Sequence, residues 1–335
     1  MFSNFEAIGA DDLWLSIANH FQGNKGIAQL GRSGLTHEIL HASLTIENPR
    51  DRWVASRTPT INPAFAIAEV IWILCGRQDS QFLNYFNNIL PRYSGYVSNY
   101  HGAYGYRLRK KFEIDQIRES YEALNHNSAS RQVVLQIWDS KSDLPNRDGA
   151  PRAEDIPCNI CSMLKVRNGR LEWTQVMRSN DLFRGLPLNI IQFTILQEVM
   201  AGWLNLEVGP YHHISDSLHI YDADLDSIAS LTKVGTPKNS DRFEEKYETT
   251  ELALVDLERM IVNCIDESIL GGQLIETLNH LKISEYWHNM ASILIAESCR
   301  RRRDDFNASK ALEQCTNPLL VFLFQRWKNR ILKNV

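Results

Sequence analysis

Two apolar runs, residues 158–167 and 171–179, are joined through Arg167-Asn168-Gly169-Arg170. Asn-Gly between two such runs is a strong hairpin signal, because both residues accept the positive φ of a tight type I′ turn. An antiparallel strand pair is therefore expected near the middle of the chain. Residues 187–204 then form an apolar stretch too long for a strand, opened by Pro187 where a first helical turn tolerates proline. A strand pair feeding a buried helix predicts a sheet with helices packed against it.

The rest of the chain fits that architecture. Residues 10–30 read as an amphipathic helix with Trp14, Ile17, Ala18 and Phe21 on one side. Residues 62–75 read as a buried helix between Pro63 and Gly76, with Glu69 its one carboxylate. Helices are also expected at 79–90 and 113–125, and strands at 131–138 and 213–221. Residues 92–106 and 143–156 read as loops. After Gly235-Thr236-Pro237, residues 251–335 look almost wholly helical. The expected organisation is an N-terminal helical segment (1–30), a catalytic domain (31–234) and a mostly helical C-terminal region (235–335). The fold class is α/β, of the α+β type, with a mixed twisted sheet and flanking helices.

Composition narrows the partners. A net charge of -4 argues against a general nucleic-acid binder, while a small anion needs only a few local arginines. No apolar run reaches the ~20 residues of a membrane span, and Met1-Phe2-Ser3-Asn4-Phe5-Glu6 has no basic region before an apolar core. Six cysteines without a signal read as free thiols in a reducing, cytoplasmic setting. Cys158 and Cys161 form a CxxC, but no second CxxC or paired histidines complete a zinc site, so no metal is expected. The run Arg300 to Arg303, followed by Asp304-Asp305, reads as a solvated helix face rather than a phosphate site.

Cys158, after Pro157, is a candidate nucleophile. A cysteine in an apolar strand is usually a small core residue, and thiolate attack needs a nearby positive charge. Arg178, on the paired strand, can supply that charge, and Arg131 is a second possible cation. Arg178 and Ser179 place a guanidinium fork beside a hydroxyl, a pair suited to phosphate; a surface ion pair is the plainer reading. Asn189 stands at a helix start, where it could cap the helix or offer its amide to a base edge.

Taken in order, these residues resemble a known family. Pro157-Cys158, then Arg178-Ser179-Asn180-Asp181-Leu182-Phe183-Arg184-Gly185-Leu186-Pro187-Leu188-Asn189, then Leu206-Glu207-Val208-Gly209 and Leu218-His219-Ile220-Tyr221 are similar to thymidylate synthase and its pyrimidine hydroxymethylase relatives. The likeness extends back through Ser130-Arg131, Tyr104-Gly105 and Ala68-Glu69-Val70-Ile71-Trp72, covering roughly residues 35–225.

The resemblance implies a role for each residue. Cys158 would attack carbon 6 of a pyrimidine nucleotide monophosphate, and carbon 5 would take a one-carbon unit from 5,10-methylenetetrahydrofolate. Arg178, Ser179 and, as a weaker match, Arg52 would hold the phosphate. Arg131 would reach the phosphate of a second copy, implying a homodimer packed sheet against sheet. Asn189 would read the base, while His219 and Tyr221 would contact the sugar. Glu69 and Tyr104 would organise proton transfer, and Asp181, Trp72 and Gly185 would line the folate site.

Departures from the family pattern bear on the product. Asn159 stands where a histidine usually follows the nucleophile, Gln132 where a second arginine follows Arg131, Met177 in place of a glutamine and Asn180 in place of a cysteine. The tryptophans that usually precede Tyr104 are missing, and the closing C-terminal tail is not recognisable. A dry site favours hydride transfer and a methyl product, whereas water gives a hydroxymethyl product. The reading narrowly favours the thymidylate synthase type, dUMP to dTMP, on Asn189, with a 5-hydroxymethylase acting on dUMP, dCMP or CMP as its rival. A reading of another class is a non-catalytic nucleotide-binding or regulatory protein on the same scaffold.

Overall fold

The computed structural model describes residues 2–23, 26–31 and 34–333. The chain divides by contact into two compact units, Met1–Thr60 with Arg107–Gly235, and Ile61–Tyr106 with Thr236–Val335.

The first unit is built on one mixed sheet. Its strands are β1 (Ser3–Ala7), β2 (Ile27–Gly31), β3 (Gly34–Ile46), β4 (Val134–Gln136), β5 (Asn159–Arg167), β6 (Arg170–Met177), β7 (Asn180–Asp181) and β8 (Glu207–Tyr221). The spatial order is β1-β3-β8-β6-β5-β4, with β2 also paired to β3 and β7 to β8. β1 runs parallel to β3, and both β6 and β7 run parallel to β8; the other pairings are antiparallel. The expected mixed sheet with flanking helices is therefore present.

The hairpin between β5 and β6 forms as the sequence dictates. Arg167 pairs with Arg170, and the two residues between them have positive φ, 52° at Asn168 and 72° at Gly169. The boundaries shift by small amounts. β5 begins at Asn159, leaving Cys158 just before it, and its register slips between Asn159 and Cys161. β6 ends at Met177, so Arg178 and Ser179 lie between β6 and β7.

Other elements differ from expectation, among them strands β1 and β3 and the helix expected over 79–90, which spans Ser80–Phe86. The helix expected over 10–30 spans Ala10–Gly23, and Ile27–Gly31 pairs with β3 instead; positions 24 and 25 lie outside the described residues. The strand expected over 131–138 contracts to Val134–Gln136 at the sheet edge. There the side chain of Gln116 takes over two backbone groups, accepting from Gln136 N at 2.6 Å and donating to Gln136 O at 2.9 Å. β8 begins six residues earlier than the 213 expected, because polar His212 and Glu207 obscured its alternation.

The helix Leu186–Trp203 is buried on nearly every side, as its uniformly apolar sequence requires. Phe193 stacks at a tilt on Trp173 of β6, with centroids 6.4 Å apart. Gln197, buried in the same helix, donates to Leu171 O and Gly209 O, both at 2.9 Å, beside the point where the β6–β8 register shifts. Glu198 is held by Arg50, 2.7 Å away, and by Arg52. Burial acts to raise this carboxyl, but Arg52 and Arg50 hold it below the usual carboxylate range. From the helix Ala10–Gly23, the Trp14 indole donates to Leu182 O at 2.8 Å, fixing the turn after β7.

The second unit centres on the helix Pro63–Leu74. Asn62 caps it by accepting from Ala64 N and Phe65 N, and Pro63 occupies its first turn. The segment Tyr104–Tyr106 packs directly on this helix through Gly105. A Cβ there would lie 2.3 Å from Ile73 O and 2.5 Å from Ile73 Cα, so only glycine fits. The C-terminal region is helical, as expected: Tyr247–Ile265, Gly271–His280, Glu285–Arg301, Asp305–Glu313 and Pro318–Lys333. Its basic run is internally tied. Arg300 and Arg301 bind the buried Glu297, and Arg302 donates to Ile269 O and Cys264 O. Among the described residues no helix is long and apolar enough to cross a membrane.

Gly105→Ala should destabilise the protein by about 1–3 kcal/mol, because the contact is with unyielding backbone. Thermal unfolding of the variant checks this; an unchanged melting temperature would contradict the close approach.

Candidate active site

The nucleophile candidate is held by the residue expected to activate it. Arg178 N donates to Cys158 O at 2.9 Å, continuing the β5–β6 ladder past the end of β6. Its side chain then turns back over the same loop. Nε donates to Pro157 O at 2.9 Å and Nη2 to Ile156 O at 3.2 Å, while Nη2 lies 3.9 Å from Cys158 Sγ. The Trp138 ring supports the guanidinium, 5.6 Å from Cζ. Three consecutive residues are thus braced by one cation, which also sets a positive charge beside the sulfur. That arrangement favours a thiolate nucleophile. Cys161 differs: burial alone pushes its thiol up.

The next residues form a polar group at the β7–β8 pairing. Asp181 pairs in register with His219, and Leu182 N donates to His219 O at 2.7 Å. Ser179 Oγ lies 3.5 Å from His219 Nδ1, and the His219 and Tyr221 rings meet edge to face at 5.7 Å. Asp181 Oδ1 accepts from Phe183 N at 2.7 Å and Arg184 N at 2.8 Å, which leaves Oδ2 outside those two bonds. Burial pushes the Asp181 carboxyl up, against the Arg184 N–H bond and the charge of His219. Arg184 also binds Asp224 at 2.8 Å and covers the Tyr221 ring at 4.6 Å.

Asn189 enters the helix Leu186–Trp203 one turn after Gly185. Its Nδ2 donates to Gln192 Oε1 at 3.1 Å. Gly185 packs close to two amides: a Cβ there would sit 3.2 Å from Asn180 Oδ1 and 3.6 Å from Asn189 Oδ1.

A layer of buried polar side chains lies alongside, and sequence reading missed most of it. Gln175 Oε1 accepts from Ser162 Oγ at 2.7 Å and from the Trp173 indole at 3.1 Å. Gln175 Nε2 donates to Cys161 O at 2.9 Å and to Asn159 Oδ1. Asn180 Nδ2 faces Met177 Sδ at 3.3 Å and His213 Nε2 at 2.9 Å. His213 in turn meets Tyr211 Oη at 3.0 Å and Ser215 Oγ at 3.1 Å. Burial pushes His213 down to about 3, so the ring is neutral at ordinary pH. The residues share a row because His213 pairs with Gln175, and Gln175 with Ser162. The Gln175–Ser162 register continues unbroken from the Arg167–Arg170 turn, while the Gln175–His213 register follows a shift between Leu171 and Trp173 that leaves no local mark in the sequence.

The remaining candidates are placed as follows. Arg131 is exposed in the loop before β4. Arg52 is buried, bonded to Pro49 O at 3.1 Å and paired with Glu198, so its structural partner is a helix rather than the Arg178–Ser179 group. In the second unit, Glu69 is half-buried on the helix Pro63–Leu74, and the Trp72 indole donates to Asp79 O at 3.0 Å. Half-buried Tyr104 precedes Gly105, whose contact with Ile73 sets its turn against that helix.

Comparisons with known proteins agree on a family. A family model described as thymidylate synthase matches residues 24–261. A deoxyuridylate hydroxymethyltransferase of Bacillus phage SP01 is 37% identical over 195 residues, covering 55% of this chain and 50% of that protein. The chain thus spans half the length of that relative. A thymidylate synthase of Clostridium beijerinckii is 28% identical over 227 residues, covering 65% of this chain and 80% of that protein. The crystal structure of thymidylate synthase from T4 phage matches with a TM-score of 0.54 at 21% identity, over 71% of this chain and 90% of that one, and shows a shared fold.

The neutral His213 has a consequence for stability. In the unfolded chain the ring protonates near 6.5, while in the folded protein it resists protonation until about pH 3. Stability is therefore full above about pH 6.5 and lost as pH falls toward 3, at up to about 1.4 kcal/mol per unit from this ring. Urea unfolding at pH 7 and pH 4.5 should show a smaller loss for His213→Asn than for wild type. Equal losses would contradict a buried neutral ring.

Proposed function

This chain belongs to the thymidylate synthase family, and on that premise we propose that it transfers one carbon to carbon 5 of a pyrimidine nucleotide, dUMP. The observation that carries the reading is the Arg178 guanidinium 3.9 Å from Cys158 Sγ, braced on the carbonyls that precede it. Cys158 Sγ bonds carbon 6 of the ring, and the electron pair of the 5,6 double bond moves toward the carbonyl at carbon 4. Carbon 5 becomes the nucleophile. After transfer, carbon 5 loses its proton, and the Sγ–carbon 6 bond breaks as the 5,6 double bond re-forms, returning Cys158 as thiolate; Glu69 and Tyr104 are the residues we assign to that proton traffic.

Ser179 and the third nitrogen of the Arg178 fork hold the phosphate, and His219 with Tyr221 holds the sugar. Arg131, on its exposed loop, is assigned to the phosphate of a second copy in a homodimer. Asn189 reads the base edge at nitrogen 3 and carbon 4. Arg52 is kept as the weaker phosphate candidate, its Nε and Nη2 being bonded to Pro49 O and Glu198.

Methylenetetrahydrofolate, when bound, would supply the one-carbon unit. Two features of this chain fit it. Asp181 presents an oxygen beyond its two backbone bonds, suited to the N–H groups of a pterin. Gly185 allows a close approach of the Asn180 and Asn189 amides that an added Cβ would crowd. Trp72 is retained as a third candidate contact.

The sequence narrowly favoured a methyl product, dTMP. A specific observation favours the second outcome, a hydroxymethyl product: the phage hydroxymethyltransferase is 37% identical to this chain and the clostridial thymidylate synthase 28%. Incubation of dUMP with methylenetetrahydrofolate, followed by product mass, separates the two.

Cys158→Ser should lower kcat/KM by about 10³-fold or more while nucleotide binding persists. Turnover that survives this substitution would overturn the covalent route. Nucleotide binding by wild type without any turnover would favour the regulatory reading instead.

A further inference from the structure

Glu38 on β3 pairs in register with His219 on β8, so both side chains stand on one face of the sheet, with Cβ atoms about 5 Å apart. Ser217 and Tyr221, two residues to either side of His219, share that face. Ser217 Oγ donates to Glu38 Oε2 at 2.5 Å, which holds the carboxylate and leaves Oε1 outside that bond. Glu38 is half-buried, and Oε1 has no hydrogen-bond partner among the described residues.

The other flank of His219 carries the phosphate pair. Ser179 Oγ lies 3.5 Å from His219 Nδ1. Ser217 N donates to Arg178 O at 3.3 Å, so the residue that holds Glu38 is also tied to the segment bearing the guanidinium fork. The surface around His219 therefore has a cationic side at Arg178 and Ser179 and an anionic side at Glu38. A deoxynucleotide monophosphate has a matching polarity, with its phosphate at carbon 5′ and one free sugar hydroxyl at carbon 3′. A carboxylate oxygen accepts from a hydroxyl and repels a phosphate, so one residue can do both.

We propose that Glu38 is a sugar contact of the nucleotide site. Its Oε1 accepts from the 3′-hydroxyl beside His219 and Tyr221, and its charge excludes a nucleotide that carries a phosphate at carbon 3′. The site then takes free mononucleotides and rejects nucleotides linked through carbon 3′ in a strand. Ser217 acts as the positioning residue, because it fixes which carboxylate oxygen stays open. The inference rests on the function proposed above, which places the sugar at His219 and Tyr221.

The test measures affinities for dUMP and for 2′-deoxyuridine 3′,5′-bisphosphate by calorimetry, and turnover of dUMP, in wild type, Glu38→Gln and Ser217→Ala. Wild type should bind dUMP more tightly than the bisphosphate. Glu38→Gln removes the charge at nearly constant shape, and the dUMP-to-bisphosphate affinity ratio should fall about tenfold or more. Ser217→Ala releases the carboxylate, and the ratio should fall in the same direction by a smaller factor. If Glu38→Gln does not fold, Ser217→Ala alone decides. An unchanged ratio in the folded variants, or wild type that binds both nucleotides equally, overturns the inference; turnover of dUMP then leaves the proposed function standing. A ratio that falls as expected, in a protein whose wild type turns over no dUMP, overturns the function and leaves the Glu38 contact in place. Wild type that binds neither nucleotide overturns both.

Discussion

One cation organises this site. The Arg178 side chain closes back onto the carbonyls of Ile156 and Pro157 and ends beside Cys158 Sγ. Without that clamp, the residues before β5 would be an ordinary loop, and the cysteine would be one more half-buried thiol. With it, the candidate nucleophile and a positive charge share one frame. The frame itself depends on the β5–β6 hairpin, because Arg178 is aligned with Cys158 by the backbone bond that extends the ladder. A turn of two residues with positive φ, some ten residues away, thus sets the alignment of Arg178 with Cys158.

A second constraint runs beneath the first. The sheet face under the helix Leu186–Trp203 is not purely apolar. It carries Asn159, Ser162, Gln175, Asn180 and His213, all buried and linked by hydrogen bonds. Such a layer is expensive to bury and stabilises only when its donors and acceptors are matched. Its gain here is orientation. Donor-only indole and acceptor-only carbonyl and thioether groups remove the ambiguity that an amide otherwise has. The departures from the family pattern at Asn159, Met177 and Asn180 fall within this layer, where each contacts another member.

Much of this was legible in the sequence. The Asn168-Gly169 turn, the apolar helix after Pro187 and the order Cys158, Arg178, Ser179, Asn189, His219 required only local patterns and spacing. Other features are invisible to such patterns. The pairing of Arg52 with Glu198, 146 residues later, leaves no trace in local spacing. Gln175 reads as a polar residue in an alternating strand, and its four partners appear only when the β5 and β6 side chains are seen together. Likewise, Arg178 suggested an activating charge, but its role in bracing the loop depends on the side chain turning back, which no spacing encodes.

The central claim is that Cys158 bonds the pyrimidine. Its most direct test is peptide mapping by mass spectrometry after rapid denaturation of the protein with dUMP and methylenetetrahydrofolate. The account predicts a nucleotide adduct on the peptide carrying Cys158, lost when Arg178 is replaced by alanine. An adduct on Cys161 or another residue, or turnover without any adduct, would contradict it.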